Sequence, residues 1–537
     1  MATTYLTPGV YVEEVDKGSK PIEGVGTAVA AFVGFAERGP ISTPTFIANW
    51  TQFTNTFGSF IPGGYLAHAV YGFFNNGGSM CYITRLPLSD ADLAAGAGDA
   101  TKSATRQLPA GRVELPAKMG GGTVSLEVTA RDAGTTGSAI TLEVLPATAP
   151  EGKQPADDEF TLVVRQGTTE ERYENVSLRK DKRARNVAEV VNADSKLVRV
   201  AEREQPGSTT ERMPNPGTYP LSIASEAAMP AAQARIGTNL LVGDAADRSG
   251  VNGLEVAEDA TMVCFPDLMA LYQSGRIDME GVQAVQQAML DHAQNMGDRV
   301  AILDAPPDFT PQRIRDWRMK EVNYDSKYGT LYYPWIKVAN PLGNGSGIFV
   351  PPCGHMAGIW SRSDSQRGVH KAPANEVIAG CIGLQYQTTH NEQAILNPAG
   401  INVIRSFPGR GIRVWGARTI SSDPSWRYLN VRRLFNYIEE SLLQGTQWAV
   451  FEPNDMDLWE RIKRDISAFL IRTWRDGALF GNTAAEAFYV KCDAENNPPE
   501  TRDVGQLIVE VGIAPVKPAE FVIIRLSQWQ SGGSAGE

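Results

Sequence analysis

The sequence is poor in the residue types that many enzymes and metal proteins use for chemistry. It has five cysteines and five histidines in 537 residues. The cysteines are scattered, odd in number and include no Cys-x-x-Cys pair, which is typical of buried free thiols in a reducing compartment. No GxxxxGK phosphate loop, GxGxxG fingerprint or HExxH zinc motif occurs. These absences disfavour the common nucleotide-dependent and zinc-dependent classes of enzyme.

The chain also lacks a basic excess and a long apolar run. With 50 basic and 61 acidic residues, its net charge is −11, which argues against a nucleic-acid partner. The longest apolar run, residues 28–36, is far below the roughly 20 residues that span a bilayer, so we expect no direct membrane insertion. The first residues have no basic region followed by an apolar one, so they do not resemble a signal peptide. We therefore expect synthesis in the cytoplasm.

What is present predicts a multidomain α/β (α+β) protein. A chain of this length exceeds one ordinary domain. Apolar strand-like runs alternate with helical patterns on both sides of a β-rich stretch, which predicts a discontinuous α/β core of sheet and helix layers, with parallel strands. The expected domains are an N-terminal extended arm at 1–20, the core at 21–88 and 236–403, a β-rich insertion at 89–235, a C-terminal α+β domain at 404–518, and a C-terminal strand arm and tail at 519–537.

The insertion is expected to be all β. Alternating segments at 123–129, 139–145, 159–165 and 173–178 are separated by Gly, Pro and Asp turns, whereas the Ala/Gly-rich stretch 89–122 is typical of a linker.

The C-terminal domain shows two strong helix patterns. The first, over 430–444, stops at Gly445, and the second begins at Asn454-Asp455 and ends at Gly477. Strand patterns follow at 487–492, 507–514 and 520–526, the last two separated by Pro515-Val-Lys-Pro518.

Both ends of the chain carry short strand patterns with no local partner. An isolated strand is not stable alone, and an apolar edge near a chain terminus is an aggregation hazard unless another strand pairs with it. The N-terminal strand could pair within its own domain or add to a neighbouring subunit. The candidate inter-subunit strand residues are Val10, Tyr11, Val12, Glu13, Glu14, Val15, Phe521, Val522, Ile523, Ile524, Arg525 and Leu526.

Several of these stretches resemble contractile tail sheath proteins, a family of phage tails, R-type tailocins and phage-derived extracellular contractile injection systems. The C-terminal resemblance is carried by RSFPGRGIRVWGARTISSDPSWRYLNVRRLF (405–435), WAVFEPND (448–455), WRDGAL (474–479) and GIAPVKPAEFVIIRLSQW (512–529). TPGVYVEEVDKGSKPIEGVGTAVAAFVGFAERGP (7–40) and IFVPPCGHMAGIWSRSDSQRGVHKAPANEVIAG (348–380) resemble the family as well.

The resemblance implies a structural subunit and no enzyme, cofactor or metal. The subunit would polymerise with itself into a helical tube of stacked hexameric rings around an inner tube protein, with baseplate and terminal cap proteins as further partners. Contraction would drive the inner tube through a target membrane. The terminal arms would link neighbours, the insertion would face outward, and the particle would assemble in the bacterial cytoplasm and be released on lysis.

Charged residues near the first C-terminal helix leave two interpretations open. A cluster of arginines between 410 and 433 lies beside Glu439, Glu440 and Glu452. It could form an ion network within the chain, or it could provide charge complementarity with another subunit or the inner tube. The candidate tube-facing residues are Arg432, Arg433, Asn436, Glu439, Glu440 and Gln444.

The alternative function is an α/β enzyme with a β insert. It would use Asp304, at the end of a predicted strand, or the 353–370 segment with Cys353, His355, Asp364 and His370. The structural interpretation of Asp267 and Asp304 is that they cap the following turn or helix.

Overall fold

A computed structural model describes most of the chain as two compact units. The large unit comprises residues 28–362 and 373–427, and the C-terminal unit comprises 21–27, 363–372 and 428–526. The described residues are 21–87, 110–119, 123–133, 140–147, 156–166, 169–180, 184–203, 207–221, 236–342 and 347–526. The predicted arm at 1–20 therefore lies outside the described residues.

The large unit contains nineteen of the described strands. In chain order they are β1 (Val29–Gly34), β2 (Thr45–Ile47), β3 (Met80–Arg85), β4 (Ala110–Pro116), β5 (Val124–Ala133), β6 (Ile140–Pro146), β7 (Glu159–Gln166), β8 (Thr169–Ser177), β9 (Val198–Glu202), β10 (Gly217–Pro220), β11 (Met262–Cys264), β12 (Val300–Asp304), β13 (Gly329–Tyr333), β14 (Ile336–Ala339), β15 (Gly347–Val350), β16 (Glu376–Val377), β17 (Cys381–Leu384), β18 (Ile401–Phe407) and β19 (Gly411–Val414).

Its helices connect these strands. They are α1 (Trp50–Phe57), α2 (Leu66–Asn75), α3 (Val187–Asp194), α4 (Thr209–Arg212), α5 (Thr238–Val242), α6 (Asp267–Gln273), α7 (Met279–Met296), α8 (Pro311–Asp316), α9 (Cys353–Arg367) and α10 (His390–Leu396). The last residues of α9, from Ser363 onward, belong to the C-terminal unit.

A nine-stranded sheet forms the centre of the large unit. Its strand order is β16-β19-β18-β13-β12-β11-β1-β3-β2. The six strands from β18 to β3 are parallel. At one end of the sheet β2 pairs antiparallel with β3, and at the other end β19 and β16 add as antiparallel strands. Because β1 and β13 are buried along their whole length, they have the near-continuous apolar sequence of strands covered on both faces. The expected parallel α/β core is confirmed.

Alternate strand residues face two different helix layers. Val33 and Val263 pack into one apolar cluster with residues of α7. Their strand neighbours point the other way: the rings of Phe32 and Phe73 of α2 lie 5.6 Å apart. On the same face, Trp360 of α9 donates a hydrogen bond from Nε1 to the Tyr332 hydroxyl at 3.1 Å. The unit therefore has three layers, as the alternation of strand and helix predicts.

Residues 110–221 contain a β-rich insertion with its own apolar core. It has a three-stranded sheet, β4-β5-β9, and a four-stranded sheet, β10-β6-β7-β8, with inward residues of both sheets in one buried cluster. The four predicted strands correspond to β5, β6, β7 and β8. The linker prediction was wrong for β4, since Ala110–Pro116 pairs with β5; its Val113 and Leu115 supply the apolar residues that the surrounding Ala/Gly-rich sequence obscures.

The C-terminal unit consists of two long helices, two short helices and a two-stranded antiparallel sheet. Its elements are α11 (Leu429–Gly445), α12 (Met456–Arg475), α13 (Ala484–Ala487), β20 (Phe488–Lys491), α14 (Pro499–Asp503) and β21 (Glu510–Ile513). Both predicted helices are confirmed. The N-cap of α12 is Asp455, whose carboxylate accepts a hydrogen bond from the Leu458 N–H at 2.9 Å.

Two expected domain boundaries differ from these units. The boundary at 404 falls inside β18, which pairs with β13 of the central sheet; the Pro-Gly turn at 408–409 connects two paired strands and does not separate two domains. Likewise, residues 21–27 were assigned to the α/β core, but Ile22 is buried in the apolar cluster of the C-terminal unit.

Candidate functional site

Strands β20 and β21, which are connected through α14, pair as a two-stranded antiparallel sheet with open edges, called here the β20–β21 hairpin. Phe488 pairs with Ile513 and Lys491 with Glu510 in an antiparallel register. The Tyr489 side chain is about half exposed, and its hydroxyl donates a hydrogen bond to Glu510 Oε1 at 2.6 Å. Within the described residues, no third strand joins this sheet. An open edge presents unpaired N–H and C=O groups to which another strand can add.

The chain leaving this hairpin is held in place for several residues. Ala514 donates its N–H to the Ala487 carbonyl at 2.8 Å, and Val516 donates to the Ala478 carbonyl at 3.1 Å. Asn430, buried at the start of α11, donates from Nδ2 to the Val516 carbonyl at 3.0 Å. These contacts fix the direction in which the C-terminal segment departs.

Glu520 is also held, since its carboxylate accepts a hydrogen bond from the Tyr428 hydroxyl at 3.1 Å. The apolar residues that follow, within 521–526, are exposed. Phe521, Val522, Ile523, Ile524 and Leu526 are between 71% and 94% exposed, and the segment belongs to no helix or strand. The strand predicted at 520–526 is therefore not formed within the chain, because its apolar residues have no partner among the described residues. We call residues 519–526 the C-terminal tail segment. A β-branched apolar run with this exposure is a surface for association.

The N-terminal segment 21–27 is tied to the same unit. Ile22 is buried, and its carbonyl accepts a hydrogen bond from Arg472. Val25 donates its N–H to Ser441 Oγ at 3.1 Å. Both terminal segments of the chain therefore depart from the C-terminal unit. The candidate strand residues Val10–Val15 lie outside the described residues, so their pairing stays a prediction.

A buried ion pair fixes the end of this N-terminal segment. Arg433 donates from Nη1 and Nη2 to the two Asp364 carboxylate oxygens at 2.8 and 2.6 Å, and both side chains are almost inaccessible. Thr27 contributes twice: its hydroxyl donates to Asp364 Oδ2 at 2.6 Å, and its carbonyl accepts from Arg433 Nη2 at 3.0 Å. A bidentate pair with its remaining acceptors satisfied is the form in which buried charges are tolerated.

This geometry divides the candidate tube-facing residues into two groups. Arg432, Arg433 and Asn436 are buried, and Arg432 donates to Asn436 Oδ1 at 2.6 Å and to Glu439 Oε2 at 2.8 Å. For these residues the structure favours the intrachain network. Glu439 and Gln444 are exposed and Glu440 is half-buried, so these three still offer a surface on α11.

The residues of the enzyme alternative are buried, except that His370 is half-buried. Cys353 and His355 are buried; burial raises the pKa of the Cys353 thiol and lowers the pKa of His355 to about 3. Asp364 belongs to the ion pair above. Within the described part of the chain, no three His, Cys, Asp or Glu side chains come together to hold a metal ion. No described helix is long and apolar enough to cross a membrane.

The two strand-end acids cap helices from elsewhere in the chain. Asp304 Oδ1 accepts the N–H of Cys353, the first residue of α9, at 2.9 Å. Asp267 accepts N–H groups from Phe35 at 2.6 Å and from Leu66, the first residue of α2, at 3.2 Å. The expectation that each acid caps the turn or helix that follows it in sequence was wrong, because each accepts N–H groups at the start of a different helix. The parallel sheet brings these acids to helices distant in sequence.

Burial of Asp304 leads to a pH-dependence prediction. Desolvation raises its pKa from 3.8 to about 7, so the folded state prefers the neutral acid. That preference stabilises the fold fully below pH ~4 and is lost as the pH rises through about 7. We expect the free energy of unfolding of Asp304→Asn to match that of the parent protein at about pH 4 and to exceed it by about 1–3 kcal/mol at about pH 8.

The urea midpoints of both proteins at the two pH values test this prediction. Asp267, whose pKa burial raises to about 6, remains in both proteins and supplies a common background slope. If the stability of the parent protein and that of Asp304→Asn changed equally between the two pH values, the effect would not come from Asp304.

Two family models match adjoining parts of this chain. The model described as phage tail sheath protein central domain matches residues 260–420, and the model described as phage tail sheath C-terminal domain matches residues 421–528. Together they span half of the chain, from the central sheet to the C-terminal tail segment. The chain belongs to the phage tail sheath family.

Known relatives and solved structures agree with this assignment. The tail sheath protein of Vibrio phage KVP40 is 23% identical over 300 residues, which are 51% of this chain and 43% of that relative. The anti-feeding prophage helical sheath in the contracted state has a TM-score of 0.55 and 23% identity, covering 98% of this chain and 100% of that one. The sheath complex of the PVC extracellular contractile injection system, also in the contracted state, has a TM-score of 0.56 and 21% identity. The match covers 98% of this chain and 99% of that one.

The matches to curated relatives are partial in length. This chain spans between 28% and 63% of the relatives that it matches, whereas its fold covers nearly the whole of the two sheath structures.

Sequence reasoning missed the residues that anchor the two terminal segments. Asp364 was a candidate only for the enzyme alternative, and Asn430 was one residue within a predicted helix. One feature of the sequence could have indicated Asn430. It is a polar residue in the first turn of an amphipathic helix, where a side chain can form a hydrogen bond with nearby main chain.

Proposed function

We propose that this protein is the structural subunit of a contractile sheath. It polymerises into a helical tube of stacked hexameric rings around an inner tube protein, and contraction drives that tube through a target membrane. The observation that carries the proposal is the C-terminal tail segment, which is held at Glu520 by a hydrogen bond from the Tyr428 hydroxyl and then exposes five large apolar side chains beside a hairpin with open edges.

Strand addition between copies explains this arrangement. The tail segment of one copy adds to the hairpin of the next, and its main chain supplies hydrogen bonds while its alternate side chains are buried. Such a contact joins two different surfaces of the same chain, so it is heterologous. A heterologous contact that does not close on itself builds an open helical assembly.

The terminal arms act as tethers during contraction. Residues 21–27 and 514–516 are fixed to the C-terminal unit by hydrogen bonds. In this proposal residues 8–17 and 519–528 pair as strands with neighbouring copies and link them while the subunits move as rigid bodies. The extended sheath is metastable, and rotation of the subunits into closer packing buries more surface. The tethers preserve the order of the subunits throughout.

Further partners complete the particle. The exposed residues Glu439 and Gln444, with Glu440, are the candidate contacts to the inner tube protein, and baseplate and terminal cap proteins bound the two ends of the sheath. The β-rich insertion faces outward. The particle is assembled in the bacterial cytoplasm and is released on lysis.

Deletion of residues 1–17 tests the role of the N-terminal arm. The anchoring residues Ile22, Val25 and Thr27 remain, so we expect the monomer to unfold within about 2 °C of the parent protein, a change below 1 kcal/mol. We expect no tubes by negative-stain electron microscopy, because each copy has lost one strand contact.

Deletion of residues 2–6 alone is the matched control. It removes sequence ahead of Pro8 and leaves the strand residues in place, so tubes should form. Tubes of normal length from the 1–17 deletion would contradict the proposed role of the arm.

A further inference from the structure

The β18–β19 hairpin concentrates positive charge and aromatic rings. Its cross-strand partners Arg405 and Arg413 lie directly opposite each other. The rings of Phe407 and Trp415 lie 4.6 Å apart, and the Arg410 guanidinium carbon lies 5.7 and 6.0 Å from their centroids. We call these five residues the arginine-aromatic hairpin.

The charges of this hairpin are not neutralised within the described parts of the chain. Arg410 and Arg413 are hydrogen-bonded only to uncharged groups of Asn375 and to the Arg410 carbonyl, and Arg405 donates to Gln393. Two like charges directly opposite across a strand pair are destabilising. In a chain of net charge −11, three arginines without a described carboxylate partner indicate a surface selected for something outside the subunit.

A second loop has the opposite character. Residues 446–460 contain Glu452, Asp455, Asp457 and Glu460 and no basic residue. Phe451, Val450 and Met456 are exposed there, Phe451 completely. Phe451 also has a φ of +67°, which is unfavourable for a bulky residue. We call residues 450–457 the acidic-apolar loop.

We propose that the acidic-apolar loop of one copy docks on the arginine-aromatic hairpin of a neighbouring copy. Carboxylates of the loop neutralise Arg410 and Arg413, and the Phe451 ring packs with the guanidinium groups and rings of the hairpin, where cation–π contact adds to apolar burial. The contact joins unlike surfaces, so it extends a helical lattice. It rests on the proposed function in that copies of this chain must assemble, and it is separate from the strand arms.

Charge reversal on each side, and then on both, tests the contact. Arg410→Glu with Arg413→Glu reverses the hairpin, and Glu452→Arg with Asp457→Arg reverses the loop while keeping the helix cap Asp455. We expect each pair alone to raise the protein concentration needed for half-maximal assembly about tenfold or more, as for lost interfacial charge pairs. The combined four-residue variant should return to within about threefold of the parent protein.

A control with the same change in net charge is Lys196→Glu with Arg199→Glu. Both residues are exposed in the insertion, and assembly should be unaffected. The proposed contact is contradicted if the control variant impairs assembly as much as the hairpin reversal does. It is also contradicted if the four-residue variant assembles no better than either pair alone. Binding of a labelled oligonucleotide that the hairpin reversal abolishes would also overturn it, since the hairpin would then serve a nucleic acid.

Photocrosslinking separates this inference from the proposed function. Phe451→p-benzoylphenylalanine is introduced into full-length protein, and isotopically heavy and light copies are mixed and irradiated. Heavy–light crosslinks from position 451 to peptides containing 405–415 support the contact, even if the assemblies seen are small and not tubular. Crosslinks to other segments, or none in assembled material, overturn it. If the parent protein forms no assemblies at any concentration, the proposed function fails first, whatever the crosslinks show.

Discussion

Truncation after residue 520, which keeps the hydrogen bond between Tyr428 and Glu520, is expected to yield a folded chain that forms no tubes. The removed apolar residues are between 71% and 94% exposed, so they contribute almost nothing to the stability of the monomer, and its melting temperature should change by less than about 2 °C. Assembly should fail because the neighbouring hairpin loses the strand that adds to it. Differential scanning fluorimetry and electron microscopy of the same sample measure both effects.

Proline substitutions localise this effect to the main chain. Successive residues of a strand direct their N–H groups to alternate sides, so either Ile523→Pro or Ile524→Pro must remove a ladder hydrogen bond. We expect at least one of them to abolish tubes at unchanged monomer stability. Ile523→Val and Ile524→Val, which keep the N–H and the β-branched shape, are the matched controls. Tubes from both proline variants would exclude strand addition by this segment.

Loss of Arg433 is expected to have the largest effect on stability. Arg433→Ala leaves the Asp364 carboxylate buried without its cation and removes a donor to the Thr27 carbonyl. Removing one member of a buried ion pair costs about 3–5 kcal/mol. The loss of stability of the C-terminal unit is measured by urea unfolding, monitored through hydrogen exchange in α11 and α12.

An exposed ion pair supplies the comparison. Arg313 and Glu321 are each 44% exposed, and Arg313→Ala should cost less than about 1 kcal/mol. The double variant Arg433→Met with Asp364→Leu should recover part of the loss, because an apolar pair of similar volume leaves no unpaired charge. A loss below about 1 kcal/mol for Arg433→Ala would show that the pair does not hold the N-terminal segment to this unit.

Local sequence patterns sufficed for much of the fold. The alternating β/α order of the core follows from continuous apolar runs such as residues 28–36 between helical periods, and the insertion strands follow from a period of two residues. Helices α11 and α12 were predicted almost to the residue, because both have clear apolar faces and stop or cap signals at Gly445 and Asp455.

Contacts between distant parts of the chain were not predictable in this way. Ile22 and Val25 are each hydrogen-bonded to a residue of the C-terminal unit more than 400 positions away, and nothing in their local sequence indicates these partners. Asp267 and Asp304 cap α2 and α9, which are distant in sequence and meet them only through the strand order of the sheet. The domain boundary at 404 was misplaced because a hairpin turn and an interdomain turn have the same Pro/Gly composition.

The candidate interface was predictable in outline only. An unpartnered strand pattern at 521–526 follows from the sequence alone, but its exposure and its anchoring through Val516 do not. The burial of Arg432 and Arg433 was not predictable either. Charged residues of an amphipathic helix are expected on the solvent side, whereas both are buried here because carboxylate and amide oxygens from Asp364, Asn436 and Glu439 satisfy them.

Electron microscopy of the purified full-length chain, at increasing concentration, tests the central proposal most directly. The proposal predicts hollow helical tubes, and a reconstruction in which residues 521–526 of each copy form a strand on the β20–β21 hairpin of a neighbour. Tubes in which that segment pairs only within its own copy, or a chain that remains monomeric at every concentration, would contradict it.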